Sequence, residues 1–143
     1  MTRYDLRGAL ARAGATLFMV GMLTGLWSAA ALTGKVVVDI PRLALAAHLA
    51  ALLGGLWMIA VAWTFEFLRY QERGQRGLAL LTAVAAWGNW LLTLGASMLG
   101  VRGLDYSGPL ANQILAFLLQ VVVVLPGLAG SAMWAYGFTR RPT

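Results

Sequence analysis

A single histidine, His48, lies within an apolar stretch long enough to form a helix, and the chain has no cysteine. An ionisable side chain in hydrocarbon needs a partner or a function. Imidazole is also the best transition-metal ligand this composition offers. If the protein holds a metal or a haem, one imidazole per chain must hold it, and the opposite coordination position stays open for chemistry. Without cysteine, disulfides, covalent haem attachment, thiolate ligation and iron–sulfur clusters are excluded. Two further polar residues, Asn89 and Thr93, stand one helical turn apart on a shared face.

The elements that must position these groups are membrane helices. Of 143 residues, 60% are hydrophobic and 11% charged, with 17 glycines, a composition that belongs in a bilayer. Four apolar stretches, approximately 14–32, 43–65, 78–101 and 110–138, each reach the roughly 20 residues that cross a ~30 Å hydrocarbon core. Lipid offers the backbone no hydrogen bonds, so such runs are helices. The expected fold is all-α: one integral membrane domain over residues 1–143, a four-helix bundle. The first run exceeds the 7–15 apolar residues of a cleavable signal core and is read as retained.

The net charge of +6 is distributed by topology, not along a groove for nucleic acid, and no nucleic-acid partner is expected. Arg3, Arg7 and Arg12 precede the first span, Arg69, Arg73 and Arg76 separate the second and third, and Arg140 and Arg141 follow the fourth. The positive-inside rule makes that side cytoplasmic and puts both termini there. Lys35, Arg42 and Arg102 mark the other side, with Asp39 and Asp105. The expected location is the bacterial inner membrane. Glu66/Arg69 and Glu72/Arg76, at helical spacing, suggest that span two continues as an amphipathic turn or two until Gly74 and Gly77 break it.

Helical rise places His48 about 10 Å below the outer end of its helix, Thr93 about 12 Å and Asn89 about 18 Å. On the fourth helix, Asn112, Gln113 and Gln120 fall between about 3 and 16 Å deep, so polar groups of three helices are expected to converge in the outer half. Such a cluster serves either as a reaction pocket or as interhelical hydrogen-bonding glue at about 1 kcal/mol each. Gly21-Met-Leu-Thr-Gly25 supplies a close-approach face, a role that Ala96/Gly100 and Gly127/Ser131 repeat. Pro126-Gly127 should bend the fourth helix, a loosened turn or a polar neighbour absorbing the freed carbonyl. Trp87 and Trp90 lie too deep for an interfacial belt; they serve as bulk packing or as the walls of an aryl pocket. No carboxylate lies mid-span, which argues against proton-coupled export, and no Ser/His/Asp triad or phosphate loop is present.

Several stretches resemble a family of small four-span bacterial membrane isomerases that includes hydroxylaminobenzene mutase and styrene oxide isomerase. They are Gly21-Met-Leu-Thr-Gly-Leu-Trp27, Ala47-His-Leu-Ala-Ala-Leu-Leu-Gly-Gly55, Trp57-Met-Ile-Ala-Val-Ala62 and Trp87-Gly-Asn-Trp-Leu-Leu-Thr93, with a looser echo in Gly108-Pro109 and Asn112-Gln113. The resemblance implies a ferric haem b at a subunit interface of a homotrimer, with His48 as its iron ligand and the iron as Lewis acid for the substrate oxygen. Where the epoxide isomerases carry an asparagine six residues after the histidine, this chain has Gly54, and where they carry a pocket tyrosine it has Thr93. Asn89, Trp90 and Thr93 match the Asn-Trp-x-x-Thr pattern of the mutases, although those read His-Leu-Glu-Gly where this chain has His48-Leu49-Ala50-Ala51.

The expected function is therefore a haem b-dependent isomerase acting on a small, apolar, aromatic substrate drawn from membrane lipid. An arylhydroxylamine rearranged to an aminophenol is slightly favoured over an epoxide rearranged to an aldehyde. Asn89 and Thr93 would orient the oxygen, Trp87, Trp90 and Gly54 would contact the substrate, and Arg42 and Arg102 would meet the haem propionates. Two rivals come from other classes: a non-catalytic haem-binding subunit, with Met58 or Met98 of a neighbouring chain closing the iron, and a small-solute carrier.

Overall fold

The computed structural model describes residues 3–139, so Arg140 and Arg141 lie outside the described residues. It contains four helices long and apolar enough to cross a membrane. These are α1 (Arg3–Leu32), α2 (Pro41–Thr64), α3 (Glu72–Leu99) and α4 (Leu110–Thr139). The protein is a multi-pass all-helical bundle. The connection between α2 and α3 lies at the arginine-rich, or basic, end; the other two lie at the distal end.

Sequence dictates where each helix begins and stops. Pro41 opens α2, where a missing N–H costs nothing. Gly100 closes α3 in the left-handed conformation, φ 65°, its N–H bonded to Ala96 O. The expected extension of span two does not form: α2 ends at Thr64, and α3 starts at Glu72 with Gly74 and Gly77 inside it. Tertiary bonds decide this. Buried Gln75 donates from Nε2 to the carbonyls of Phe65 and Tyr70 (3.4 Å each), pinning the connection across the first turn of α3. Glu72 pairs with Arg76 at 2.6 Å within α3, whereas Glu66 reaches Arg7 of α1 at 3.8 Å.

Helices α1 and α2 approach closely because glycines face each other. A Cβ on Gly14 would stand 2.7 Å from Gly55 O, one on Gly55 2.7 Å from Gly14 O, and one on Gly21 2.9 Å from Ala51 Cβ. Small residues thus bring two backbones into contact where lipid provides no hydrophobic drive. Leu17, Ala51, Met58, Leu78 and Ala86 form the core that joins this hairpin to α3, and α4 packs on the other side of α3.

The loosened turn expected beside Pro126 is present in α4. Without the proline N–H the regular ladder fails, and Leu119–Val124 takes up π-helical register, with Leu125 N–H bonded to Gln120 O. At the basic end, Trp134 Nε1–H donates to Thr64 Oγ1 (2.9 Å), Tyr70 O–H to Met133 O (2.8 Å) and Arg69 N–H to Gly137 O (3.0 Å). These bonds tie α4 to α2 and to the connection after it. Farther along, α2 and α4 each lean on α3 and a cleft opens between them.

Candidate functional site

His48 is seated against α1. Its Nδ1 lies 2.7 Å from Gly21 O, and because a carbonyl only accepts, Nδ1 carries a proton, the tautomer whose Nε2 bears the ring's lone pair. Gly25 makes the seat possible: a Cβ there would stand 2.7 Å from His48 Cε1 and 2.8 Å from Nδ1. The residue remains partly exposed. An imidazole whose Nδ1–H is held by a backbone carbonyl is the usual arrangement of a metal-ligating histidine, since it fixes tautomer and ring orientation.

The donor set narrows what such a ligand can hold. Among the described residues no group of three His, Cys, Asp or Glu side chains could bind a bare metal ion. A lone imidazole suits a centre that brings its own equatorial ligands, as haem does. Met58 is fully buried in the core and out of reach of a neighbouring chain, while Met98 is exposed on α3.

Two of the other expected site residues, Gly54 and Asn89, meet at a cavity on a different side of α2 from His48. A cavity of about 280 Å³ occupies the cleft between α2, α3 and α4, with Gly54, Trp57, Asn89, Val123 and Gly127 among its walls. Trp57 follows His48 by nine residues, about two and a half helical turns, so it projects from the opposite face. His48 and the cavity are therefore not brought together within one chain. Asn89 is the polar group of an otherwise apolar lining. Thr93 Oγ1–H donates to Asn89 Oδ1 at 3.2 Å, which turns the amide and leaves its Nδ2 donors for other acceptors.

Trp87 and Trp90 stand elsewhere. They form an edge-to-face pair, centroids 5.8 Å apart, and Trp90 Nε1–H donates to Thr24 Oγ1 of α1 at 3.1 Å. They pack toward the hairpin core, whereas Ala85 and Asn89 carry the cavity face of α3. The aromatic wall of the cavity between α2, α3 and α4 is Trp57, while Trp90 lines a separate cavity with Trp27 and Thr24. The sequence signal for Trp57 was the spacing of Ala50, Leu53, Gly54 and Trp57, a helical face opposite the histidine.

The polar residues of α4 do not join a cluster with His48. Asn112 Oδ1 accepts from the backbone N–H of Arg102 (3.1 Å) and Gly103 (2.8 Å), while its Nδ2 donates to the carbonyls of Asp105 and Ser107 (3.0 Å each). Gln113 donates to Gly108 O, and Gln120 accepts from Tyr106 O–H. All three organise the distal connection, where a backbone leaving a helix needs partners and lipid gives none. There the hydroxyl and the backbone N–H of Ser107 hold the Asp105 carboxyl below its ordinary pKa, with Asn112 assisting. Arg42 and Arg102 are both exposed toward this end. Arg42 sits about 9 Å along α2 from His48 and about a third of a turn around it.

A family model described as styrene oxide isomerase matches residues 6–139, which span all four apolar helices. The chain belongs to the styrene oxide isomerase family. This makes it an isomerase-type membrane protein, and the family's description fits the epoxide-isomerase alternative better than the arylhydroxylamine reading. No match to the chain was found among curated proteins or among solved structures.

Proposed function

We propose that this member of the styrene oxide isomerase family is a haem b-dependent enzyme of the bacterial inner membrane that converts small aryl epoxides to aldehydes. The observation that carries the reading is the Nδ1–H bond of His48 to Gly21 O, which orients the imidazole and leaves Nε2 as its ligating nitrogen. His48 would hold the haem, which when bound would supply a Lewis acid for the epoxide oxygen. The reaction is internally balanced: the benzylic C–O bond breaks, a hydride shifts to that carbon from its neighbour, and the oxygen becomes the carbonyl of the aldehyde. No redox equivalent is consumed.

The chain's own residues contribute orientation and dryness. Trp57 offers a face for the aryl ring, and Asn89 Nδ2 a hydrogen bond toward the oxygen. Thr93 keeps the amide turned for that task. The apolar walls contributed by Leu53, Ala85, Ala86 and Val123 exclude water, which would otherwise open the epoxide to a diol. Arg42 and Arg102, both exposed toward the distal end, would meet the propionates. Because imidazole and cavity lie on opposite faces of α2, one copy's His48 serves a neighbour's cavity, and a homotrimer is the assembly proposed.

Protein purified from haem-replete cells should show a high-spin ferric Soret band and convert styrene oxide to phenylacetaldehyde, and His48→Ala should lose both. Turnover surviving in His48→Ala, or folded but colourless wild-type protein, would refute the reading. A second reading, arylhydroxylamine to aminophenol, is favoured by the Thr93–Asn89 hydrogen bond, since Thr93 stands where the epoxide isomerases carry tyrosine. Phenylhydroxylamine assayed with the same preparation decides between them.

A further inference from the structure

Gly127 is the one cavity-lining glycine for which neither packing nor backbone conformation demands the absence of a side chain. At Gly54, a Cβ would stand 3.0 Å from Ala86 Cβ and 3.3 Å from Ala86 Cα and Leu17 Cδ2, so the contact of α2 with α3 requires glycine. At Gly88, just outside the lining, a Cβ would meet Val122 Cγ1 at 2.6 Å where the π-helical segment bulges toward α3. A Cβ on Gly127 would meet only Ala85 Cβ, at 3.8 Å, an ordinary contact. Gly127 is also helical, not one of the positive-φ glycines. The atom its Cβ would touch, Ala85, is itself a wall of the cavity, so a longer side chain at 127 grows into the cavity's space.

We propose that Gly127 sets how large an aryl group the cavity admits, making it a specificity-determining position for the proposed reaction. The proposal rests on the reading of this cavity as the aryl site. The π-helical segment is the element that holds it there. Val123, within it, and Gly127, one turn on, form the α4 wall of the cavity that Ala85 and Asn89 also line. Substitutions at 127 therefore change the depth available to a ring's far edge and leave Asn89 and Trp57 in place.

The test uses full-length protein carrying Gly127→Ala or Gly127→Val. Two unreactive probes, ethylbenzene and 4-ethyltoluene, report binding by thermal shift and titration, and styrene oxide and 4-methylstyrene oxide report turnover. One methyl group is worth about 10–200-fold in a filled apolar pocket. Gly127→Val should therefore weaken 4-ethyltoluene at least about tenfold more than ethylbenzene. Gly127→Ala should shift the ratio in the same direction by about threefold, with a melting temperature no lower than wild type, so the proposal remains testable if the valine variant fails to fold. Binding ratios equal to wild type in a folded variant would overturn it. If wild type turns over neither epoxide, the reaction reading fails, and the binding ratios still decide the role of Gly127.

Discussion

Replacing Gly25 by alanine should damage the site of His48 without touching His48 itself. The new Cβ would lie 2.7 Å from Cε1 and 2.8 Å from Nδ1, closer than real side-chain contacts allow, and 3.3 Å from Nε2. Helix α1 cannot retreat, because Gly14 and Gly21 hold it against α2 with equally short approaches, so the imidazole must swing. It loses the 2.7 Å bond to Gly21 O, worth about 0.5–1.5 kcal/mol net, and an off-rotamer ring costs about 0.5–1.5 kcal/mol more. The sum, about 1–3 kcal/mol, is roughly 5- to 150-fold in affinity for whatever Nε2 ligates, in line with the 10- to 100-fold typical of outer-shell substitutions at metal sites. Haem titration of the protein in detergent, followed at the Soret band, measures it. The control is Gly95→Ala, since a Cβ at Gly95 meets nothing within 4 Å. Wild-type haem affinity and spectrum in folded Gly25→Ala would refute the seat described for His48.

Thr93→Val removes the hydroxyl that turns Asn89 and should lower kcat/KM about tenfold with haem occupancy unchanged, whereas Asn89→Leu should lower it further; equal activity in all three proteins would remove the amide from the mechanism. Gly88→Ala pushes a methyl into Val122 Cγ1 and should destabilise the bundle by about 1–3 kcal/mol, read as a lowered melting temperature. Asp105 has a folded-state pKa below its unfolded value. Its contribution is fully present above the unfolded pKa, near 3.9, and fades as pH falls through the lower, folded value. The distal connection should therefore loosen only below about pH 4, seen as amide exchange in residues 102–108, and Asp105→Asn should remove that step. Co-expressing His48→Ala and Asn89→Leu copies should recover activity that neither has alone, because a mixed assembly contains intact composite sites; no recovery would contradict a site shared between chains.

The helices were legible because length and apolarity are properties of contiguous residues, and lipid permits one backbone solution for them. His48 was legible for a related reason: an imidazole in hydrocarbon is costly enough to identify itself. Which face meets which neighbour was harder to see. Trp87 and Trp90 share a helix with Asn89 and lie at its depth, yet they turn toward α1, where Thr24 supplies the hydroxyl that an indole N–H seeks. Asn112 and Gln113 have the composition of pocket residues, but loop carbonyls and N–H groups bind them, a demand invisible until the chain's turn at Gly103 and Gly108 is seen. The π-helical segment was foreshadowed by Pro126; that its bulge shapes a cavity wall depends on Gly88 across the interface.

With the imidazole on one face of α2 and the cavity on the other, the proposed sharing of sites would give each copy a donor flank and an acceptor flank that are unlike. Such head-to-tail contacts do not pair off around a twofold axis; they propagate until rotation closes them into a ring. Catalytic competence would then be cyclic, every member lending its ligand to the next and borrowing from the previous one. A chain diluted to isolation in the bilayer would hold all the necessary parts and complete no reaction.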